Sequence, residues 1–380
     1  MLESRFVVID FNHLAHKYQH GMQTVLTKRV TIGGVTKEIV TNLQNGVSKL
    51  VYRWTRGGLD VPVICFDRPC PGRKELLQEL YPSGQAYKGS RRGMSSDLFE
   101  AITMCESLFR EAGVFVAAAN GYEADDAIMA AVSGLKQYGQ YIDVVTGDMD
   151  MIPLVDDQVS VFYSSRKTTS AISKEIEKRK YVQVTPSNYE EVVSDYSKNK
   201  TSKIRVPYNY ELLVKMLRGD DSDEIPRIPT MRPKRVNEII KGLADNGVGD
   251  IFRYGGYLDV ITLVLLPLVL HPEAFKWVDS KYFTTDAYTS NYEKVFDELF
   301  DAQENPVPSL SRFKGLGADG LGGFDDLSKA RKNYRIMDLN SDLGGRRRSV
   351  SISEKPRHFD GLRYADVFSK LGIKIPLGSY

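Results

Sequence analysis

The chain has 380 residues, 42% hydrophobic and 26% charged, with a formal net charge of +2. This length can bury a sizeable core and suggests two or three domains. The near-neutral balance excludes a generally basic coat, so any hold on a polyanion must come from local patches. Three cysteines (Cys65, Cys70, Cys105) and five histidines are too few and wrongly spaced for a zinc site. An odd cysteine count without a disulfide framework predicts a reducing, cytoplasmic setting. The start, MLESRFVVIDFNH, lacks the regions of a secretory leader. The longest apolar run, Val260 to Leu270, is broken by Thr262 and Pro267. It is too short to span a bilayer and reads as a buried helix, so no membrane association is expected.

Taken in chain order, Arg5 to Asp10 (RFVVID) is a β-branched apolar run ending in an acid, as in a buried parallel strand. Val61 to Asp67 (VPVICFD) and Ile142 to Asp148 (IDVVTGD) repeat the pattern, and Val114 to Ala118 fits a shorter strand. Helical stretches lie between them at Asn42 to Arg56, Asp97 to Ala112 and Tyr122 to Gln137. Alternating strands and helices predict an α/β fold with a parallel sheet and right-handed crossovers. Arg68 to Met94 differs in kind: three prolines, several glycines and Arg68, Arg73, Lys74, Lys88, Arg91 and Arg92 read as an exposed excursion rather than sheet. Ser164 to Arg205 is polar and basic and is expected to be partly mobile. Helices are predicted at Tyr210 to Arg218 and Arg235 to Asp245, then a helical region to about Leu299 and a Gly-rich polar tail with FKGLGADGLGGF and Arg346 to Arg348. The FKGLG segment superficially resembles a type II topoisomerase motif, but the acids that motif needs are absent around it. The arginine triplet reads as a solvated loop.

Three strands end in Asp10, Asp67 and Asp148, with Asp150 two residues further on. Parallel strands deliver their C-terminal ends to one sheet edge, where ligands bind, so these carboxylates should converge. Glu123, Asp125 and Asp126 in NGYEADD open a predicted helix, and Glu123 and Asp126 share a face of it. Singly, each acid has an ordinary explanation: acids in a first helical turn favour the helix dipole, and an Asp after a strand is often a turn residue. As a set they would require several independent accidents. Seven clustered acids call for counter-charge, and carboxylate oxygens suit Mg²⁺ or Mn²⁺. Two such ions about 3.5–4 Å apart clamp both sides of a phosphodiester during hydrolysis. No Ser/His/Asp or Cys/His set offers covalent chemistry instead.

Asp10 in VVIDFNH, Asp67 in CFDRP, YKGSRR at Tyr87 to Arg92, GYEADD, TGDMDM and RGDDSDEIP occur in one order along the chain. In this order they resemble the 5′-nucleases of the flap endonuclease class: the phage 5′–3′ exonuclease/ribonuclease H type and the 5′-nuclease domain of bacterial DNA polymerase I. The resemblance covers roughly Phe6 to Ile240. It implies a PIN-like parallel sheet flanked by helices, then a helix–three-turn–helix DNA-binding region and a helical C-terminal extension. The expected divisions are a catalytic domain over 1–163 with a clamp or arch over 68–94, a basic connector over 164–206, the DNA-binding region over 207–300, and an extension of unread role over 301–380.

By the same resemblance, Asp10, Asp67, Glu123, Asp125, Asp126, Asp148 and Asp150 look like the metal ligands, with Asp220 and Asp223 as a distal pair for a further metal. Lys88 and Arg91 look like the family's catalytic cations, because a cation facing the carboxylates can hold the scissile phosphate and stabilise charge in the transition state. Tyr87 could stack on a base and Arg92 assist. In relatives a Gly-Ile-Gly-like turn presents backbone N–H groups to phosphate beside a monovalent cation. Here Thr230, Met231 and Arg232 stand in its place, which weakens the case for K⁺, and Arg232, Lys234 and Arg235 are expected to contact phosphate instead. The implied activity is a Mg²⁺- or Mn²⁺-dependent 5′–3′ exonuclease or flap endonuclease with ribonuclease H capacity, acting on DNA or RNA·DNA with a 5′ end or flap. Primer removal or flap trimming in replication or repair follows, with a phage setting and a single-strand-binding protein or sliding clamp as partner. Two alternatives are a PIN-type ribonuclease, which would lack the element carrying Asp220 and Asp223, and an inactive branched-DNA-binding protein.

Overall fold

The computed structural model describes residues 4–20, 27–32, 35–82, 95–118, 120–164, 181–189, 191–192, 211–220, 223–228, 236, 329, 332–333, 336–337 and 355–377. Two compact units divide the chain: Met1–Cys70 with Arg91–Asn188 and Arg348–Tyr380, and Pro71–Ser90 with Tyr189–Arg347.

The first unit is built on a six-stranded sheet. Its strands are β1 (Phe6–Asp10), β4 (Val61–Cys65), β5 (Phe115–Ala117), β6 (Ile142–Thr146), β7 (Val159–Tyr163) and β8 (Val182–Val184), in the order β5-β4-β1-β6-β7-β8. All pairings are parallel except β7 with β8. The α/β class and the helix-flanked, mainly parallel sheet are therefore as expected. Every residue of β1, β4 and β6 is buried, because helices cover both faces of a parallel sheet and leave no polar side. A separate antiparallel pair, β2 (Thr27–Ile32) and β3 (Val35–Val40), had no counterpart in the sequence reading.

Helices α1 (Phe11–His20), α2 (Asn42–Trp54), α4 (Ser96–Glu111) and α5 (Ala124–Lys136) lie in the same unit. Helix α4 begins where the Ser95 side chain accepts from the Leu98 N–H, and Asp97 sits in its first turn, where the helix dipole favours an acid. Helix α7 (Gly361–Ser369) lies in the stretch expected as an unread extension, yet it joins the core of this unit. Tyr364 and Phe368 are fully buried, the Tyr364 hydroxyl donates to the Ser48 carbonyl at 2.9 Å, and Phe109 meets Phe368 at 5.6 Å between ring centres. Likewise β8 lies in the expected basic connector and pairs with β7. The rest of that connector, which was expected to be partly mobile, falls mostly outside the described residues. So do the predicted helices at 235–245 and 260–270 apart from the buried Val236, the FKGLG segment and the arginine triplet. Among the described residues no helix is long and apolar enough to cross a membrane.

The second unit contains α3 (Pro71–Leu80) and α6 (Glu211–Arg218) among its described residues. Helix α3 corrects the reading of 68–94 as wholly exposed excursion: Arg73, Leu76 and Leu77 are buried, so this stretch has an amphipathic face.

At the N-terminal edge of the sheet, four charges join the central strands. Asp60 accepts from Arg5 (backbone N and Nε, both 3.2 Å) and from Arg56 (Nη2 at 2.5 Å), and Arg5 also pairs with Asp143. Burial pushes the Asp143 carboxyl up to about 6, and Arg5 only partly opposes this. The two acids should therefore respond oppositely to neutralisation. Asp60→Asn should cost about 2–3 kcal/mol in urea denaturation, since it strands two arginines beside a buried site. Asp143 binds its proton more tightly folded than unfolded, so its contribution falls as pH rises from about 4 to 6. Asp143→Asn should flatten stability across that window and be more stable than wild type at pH 8; the same denaturation series at stepped pH measures both.

Candidate active site

The three central strands end at one edge in fixed register. Asp10 stands opposite Cys65, and Ile9 lies opposite Val145, one residue before Thr146. Asp67 and Asp148 follow two residues after Cys65 and Thr146. Hydrogen bonds then join the strand ends. The Thr146 hydroxyl donates to Asp10 Oδ2 at 2.9 Å and accepts from the Asp148 N–H at 3.0 Å. Asp10 Oδ1 accepts from the His13 N–H at 3.1 Å, in the first turn of α1. The Asp67 N–H donates to Asn12 Oδ1 at 3.3 Å, and Asp67 Oδ1 accepts from the Ala124 N–H at 3.0 Å, which ties β4 to the start of α5. Asp148 Oδ1 accepts from the Asp150 N–H at 2.9 Å as the chain enters a 3₁₀ turn, Met149–Leu154.

Electrostatics confirm the convergence. Asp10 is buried, and its carboxyl is pushed up to about 6, first by burial and then by the negative charges of Asp148 and Asp67, against the His13 and Thr146 hydrogen bonds. Burial raises the Cys65 thiol well above its usual value, with Asp10 and Asp125 adding to the effect. Asp10, Asp67, Asp125 and Asp148 thus share one electrostatic neighbourhood. Glu123 and Asp126 open α5 as a reciprocal capping box, in which the Glu123 N–H donates to Asp126 Oδ2 at 2.9 Å. This gives both acids a helix-capping role. Among the described residues no group of three or more His, Cys, Asp or Glu side chains is gathered so as to hold a metal ion. The carboxylates are instead oriented separately by N–H and hydroxyl donors.

Sequence reasoning missed the residues that hold these acids. Thr146 was read only as part of TGD, and Asn12 and His13 were not singled out. His13 packs over Gly147 so closely that a β-carbon at position 147 would come within 1.7 Å of its ring.

In the second unit, Asp220 and Asp223 share one turn. Asp220 exchanges backbone hydrogen bonds with Ile225, and the Asp223 N–H donates to the Asp220 carbonyl at 3.2 Å. The Asp220 carboxylate pairs with Lys215 at 3.1 Å. Tyr87, Lys88, Arg91, Arg92, Arg232, Lys234 and Arg235 lie outside the described residues.

Residues 5–183 match the sequence profile of the 5′–3′ exonuclease N-terminal, resolvase-like domain. This stretch, just under half of the chain, is similar to that family. DNA polymerase I of Mycobacterium leprae is 28% identical over 250 residues, covering 63% of this chain and 24% of the polymerase. The 5′–3′ exonuclease of Buchnera aphidicola is 28% identical over 179 residues, covering 47% of this chain and 52% of that protein. The chain thus spans about a quarter of the polymerase and half of the exonuclease. Among solved structures, a bacteriophage T5 flap endonuclease with DNA and metal ions is similar, with a TM-score of 0.42 at 13% identity over 87% of this chain and 98% of that one.

A Gly147→Ala variant tests the packing of the site. Its β-carbon must displace His13, so it should lose about 1–3 kcal/mol in thermal or chemical denaturation. A stability equal to wild type would show that the ring has free space to move.

Proposed function

We propose that the chain is a divalent-metal-dependent 5′-nuclease that hydrolyses phosphodiesters in DNA or RNA·DNA bearing a free 5′ end or flap. The observation that carries this reading is the meeting of Asp10, Asp67, Asp125 and Asp148 at one edge of a domain similar to that of the 5′–3′ exonuclease family. The donors fit Mg²⁺ or Mn²⁺ in chemistry, being carboxylate oxygens without sulfur or imidazole, and some are exposed. Asp10, Asp67, Asp148 and Asp150 are the residues that would hold such ions, joined by Asp125 and by whatever Glu123 and Asp126 offer beyond their capping bonds. Divalent ions supply, when bound, charge neutralisation for both the attacking water and the leaving oxygen. The protein's own part is orientation: Thr146 and the His13 N–H aim Asp10, and the Ala124 N–H aims Asp67.

The family resemblance supports Lys88 and Arg91 as the cations that hold the scissile phosphate, with Tyr87 and Arg92 on the adjoining strand. Asp220 and Asp223 serve a distal ion in this reading, for which Lys215 would have to release Asp220. Arg232, Lys234 and Arg235 contact the duplex backbone, so binding should weaken steeply with salt. The biological role is primer removal or flap trimming in the replication or repair of a phage or its host, beside a sliding clamp or single-strand-binding protein.

A 5′-labelled flap duplex incubated with Mg²⁺ or Mn²⁺ should be cut by the wild type. Asp148→Ala and Asp150→Ala should leave almost no product, and EDTA should abolish cleavage. Equal product from wild type and both variants would overturn the reading. Lys88→Ala should bind the same substrate normally but lose on the order of 100-fold in kcat, as expected for removing one donor to developing transition-state charge. A wild-type kcat would remove Lys88 from the chemistry.

A further inference from the structure

Asn333 lies in a helical segment far downstream of the matched family domain, and it is fully buried. A buried amide has to satisfy both its donors and its acceptor. Its Nδ2 donates to the Met216 carbonyl at 2.7 Å and to the Pro226 carbonyl at 3.0 Å, and its Oδ1 accepts from the Tyr81 hydroxyl at 2.7 Å. Each partner has structural meaning. The Met216 carbonyl belongs to the last turn of α6, where carbonyls have no partner within the helix. Pro226 directly follows the turn that begins at Gly219 and closes with the Asp220–Ile225 backbone pair. Gly219 adopts φ +67°, and a β-carbon there would meet the Ile225 carbonyl at 2.4 Å, so the turn is tightly folded. Tyr81 follows α3 directly, just before the basic segment that contains Lys88, and Lys332 lies 5.6 Å over its ring.

We propose that Asn333 is a positioning residue for the nuclease reaction. A single side chain from the C-terminal part of the chain clamps both ends of the turn carrying Asp220 and Asp223, and fixes the root of the basic segment to the same point. This rests on the nuclease reading above and adds to it a requirement for residues well outside the family match. The clamp acts through the turn and through Tyr81, without touching the reacting atoms. Losing it loosens the turn and lowers the efficiency of cleavage.

The test uses the full chain with Asn333→Leu, which keeps side-chain bulk and removes all three hydrogen bonds, and Tyr81→Phe, which removes one of the three together with the 3.4 Å bond from the Tyr81 hydroxyl to the Lys329 carbonyl. Hydrogen exchange reads the turn without any activity. In Asn333→Leu the amides of Asp220, Asp223 and Ile225 should exchange about tenfold faster or more, and in Tyr81→Phe about fivefold faster, as expected for losing two carbonyl partners against one neutral bond. Amides of β1 and β6 should be unchanged. On the flap substrate, Asn333→Leu should lower kcat/KM about tenfold, the loss of transition-state stabilisation expected when a positioned group is freed. Unchanged turn exchange in both variants overturns the proposal, as does a wild-type kcat/KM in Asn333→Leu. Should Asn333→Leu fail to fold, the Tyr81→Phe exchange alone decides. A wild type without nuclease activity, combined with accelerated turn exchange in the variants, would sink the nuclease reading and leave the clamp standing.

Discussion

Because β1 is paired on both sides by parallel strands, three chain segments leave the sheet at the same edge and enter it at the other. The two edges then solve a common electrostatic problem differently. Where the strands enter, Asp60 and Asp143 are met by the guanidinium groups of Arg5 and Arg56, so charge is cancelled and the corner is structural. Where they leave, Asp10, Asp67, Asp126 and Asp148 accept from backbone N–H groups and one hydroxyl. Neutral donors orient a carboxylate without discharging it. Burial is the first cause of the raised proton affinity of Asp10, with Asp148 and Asp67 adding to it against its hydrogen bonds. The sheet therefore gathers acidic side chains at the edge where α/β proteins take their ligands.

The parts of this arrangement legible in the sequence were those written as short-range pattern. FVVID, VPVIC and IDVVT are continuous apolar runs because both faces are covered, and each is followed by an acid at or just beyond the strand end. The helices α2, α4 and α5 were legible from their own periodicity. The strands β7 and β8 were not, since β7 alternates buried and half-buried positions and β8 is three residues long in a polar stretch. Helix α7 was missed for another reason. Its buried face is specified by Tyr52 and Phe109, hundreds of positions away, and nothing beside it announces that partner.

The site followed the same division. Acids carry their chemistry in their identity, so nine could be proposed as ligands from the chain alone. Thr146, Asn12 and His13 carry theirs only in where the fold brings them, and a threonine or asparagine near a strand end has many ordinary uses. Glu123 and Asp126 show the opposite hazard, since the same two side chains that looked like ligands also cap a helix.

With residues 355–377 in the first unit, the second unit consists of two inserted segments, 71–90 and 189–347. This has a consequence for how the protein is made. The sheet and helices α1 to α5 emerge from the ribosome long before α7, and at ~5–20 residues per second the delay is on the order of ten seconds. Throughout that interval the aromatic surface that Tyr364 and Phe368 will cover lacks its lid. The nascent sheet must wait, part-finished, while the inserted unit is synthesised. Final closure of the core thus waits for the synthesis of α7, so a product terminated before it would carry the strand-end acids on an open, aggregation-prone scaffold.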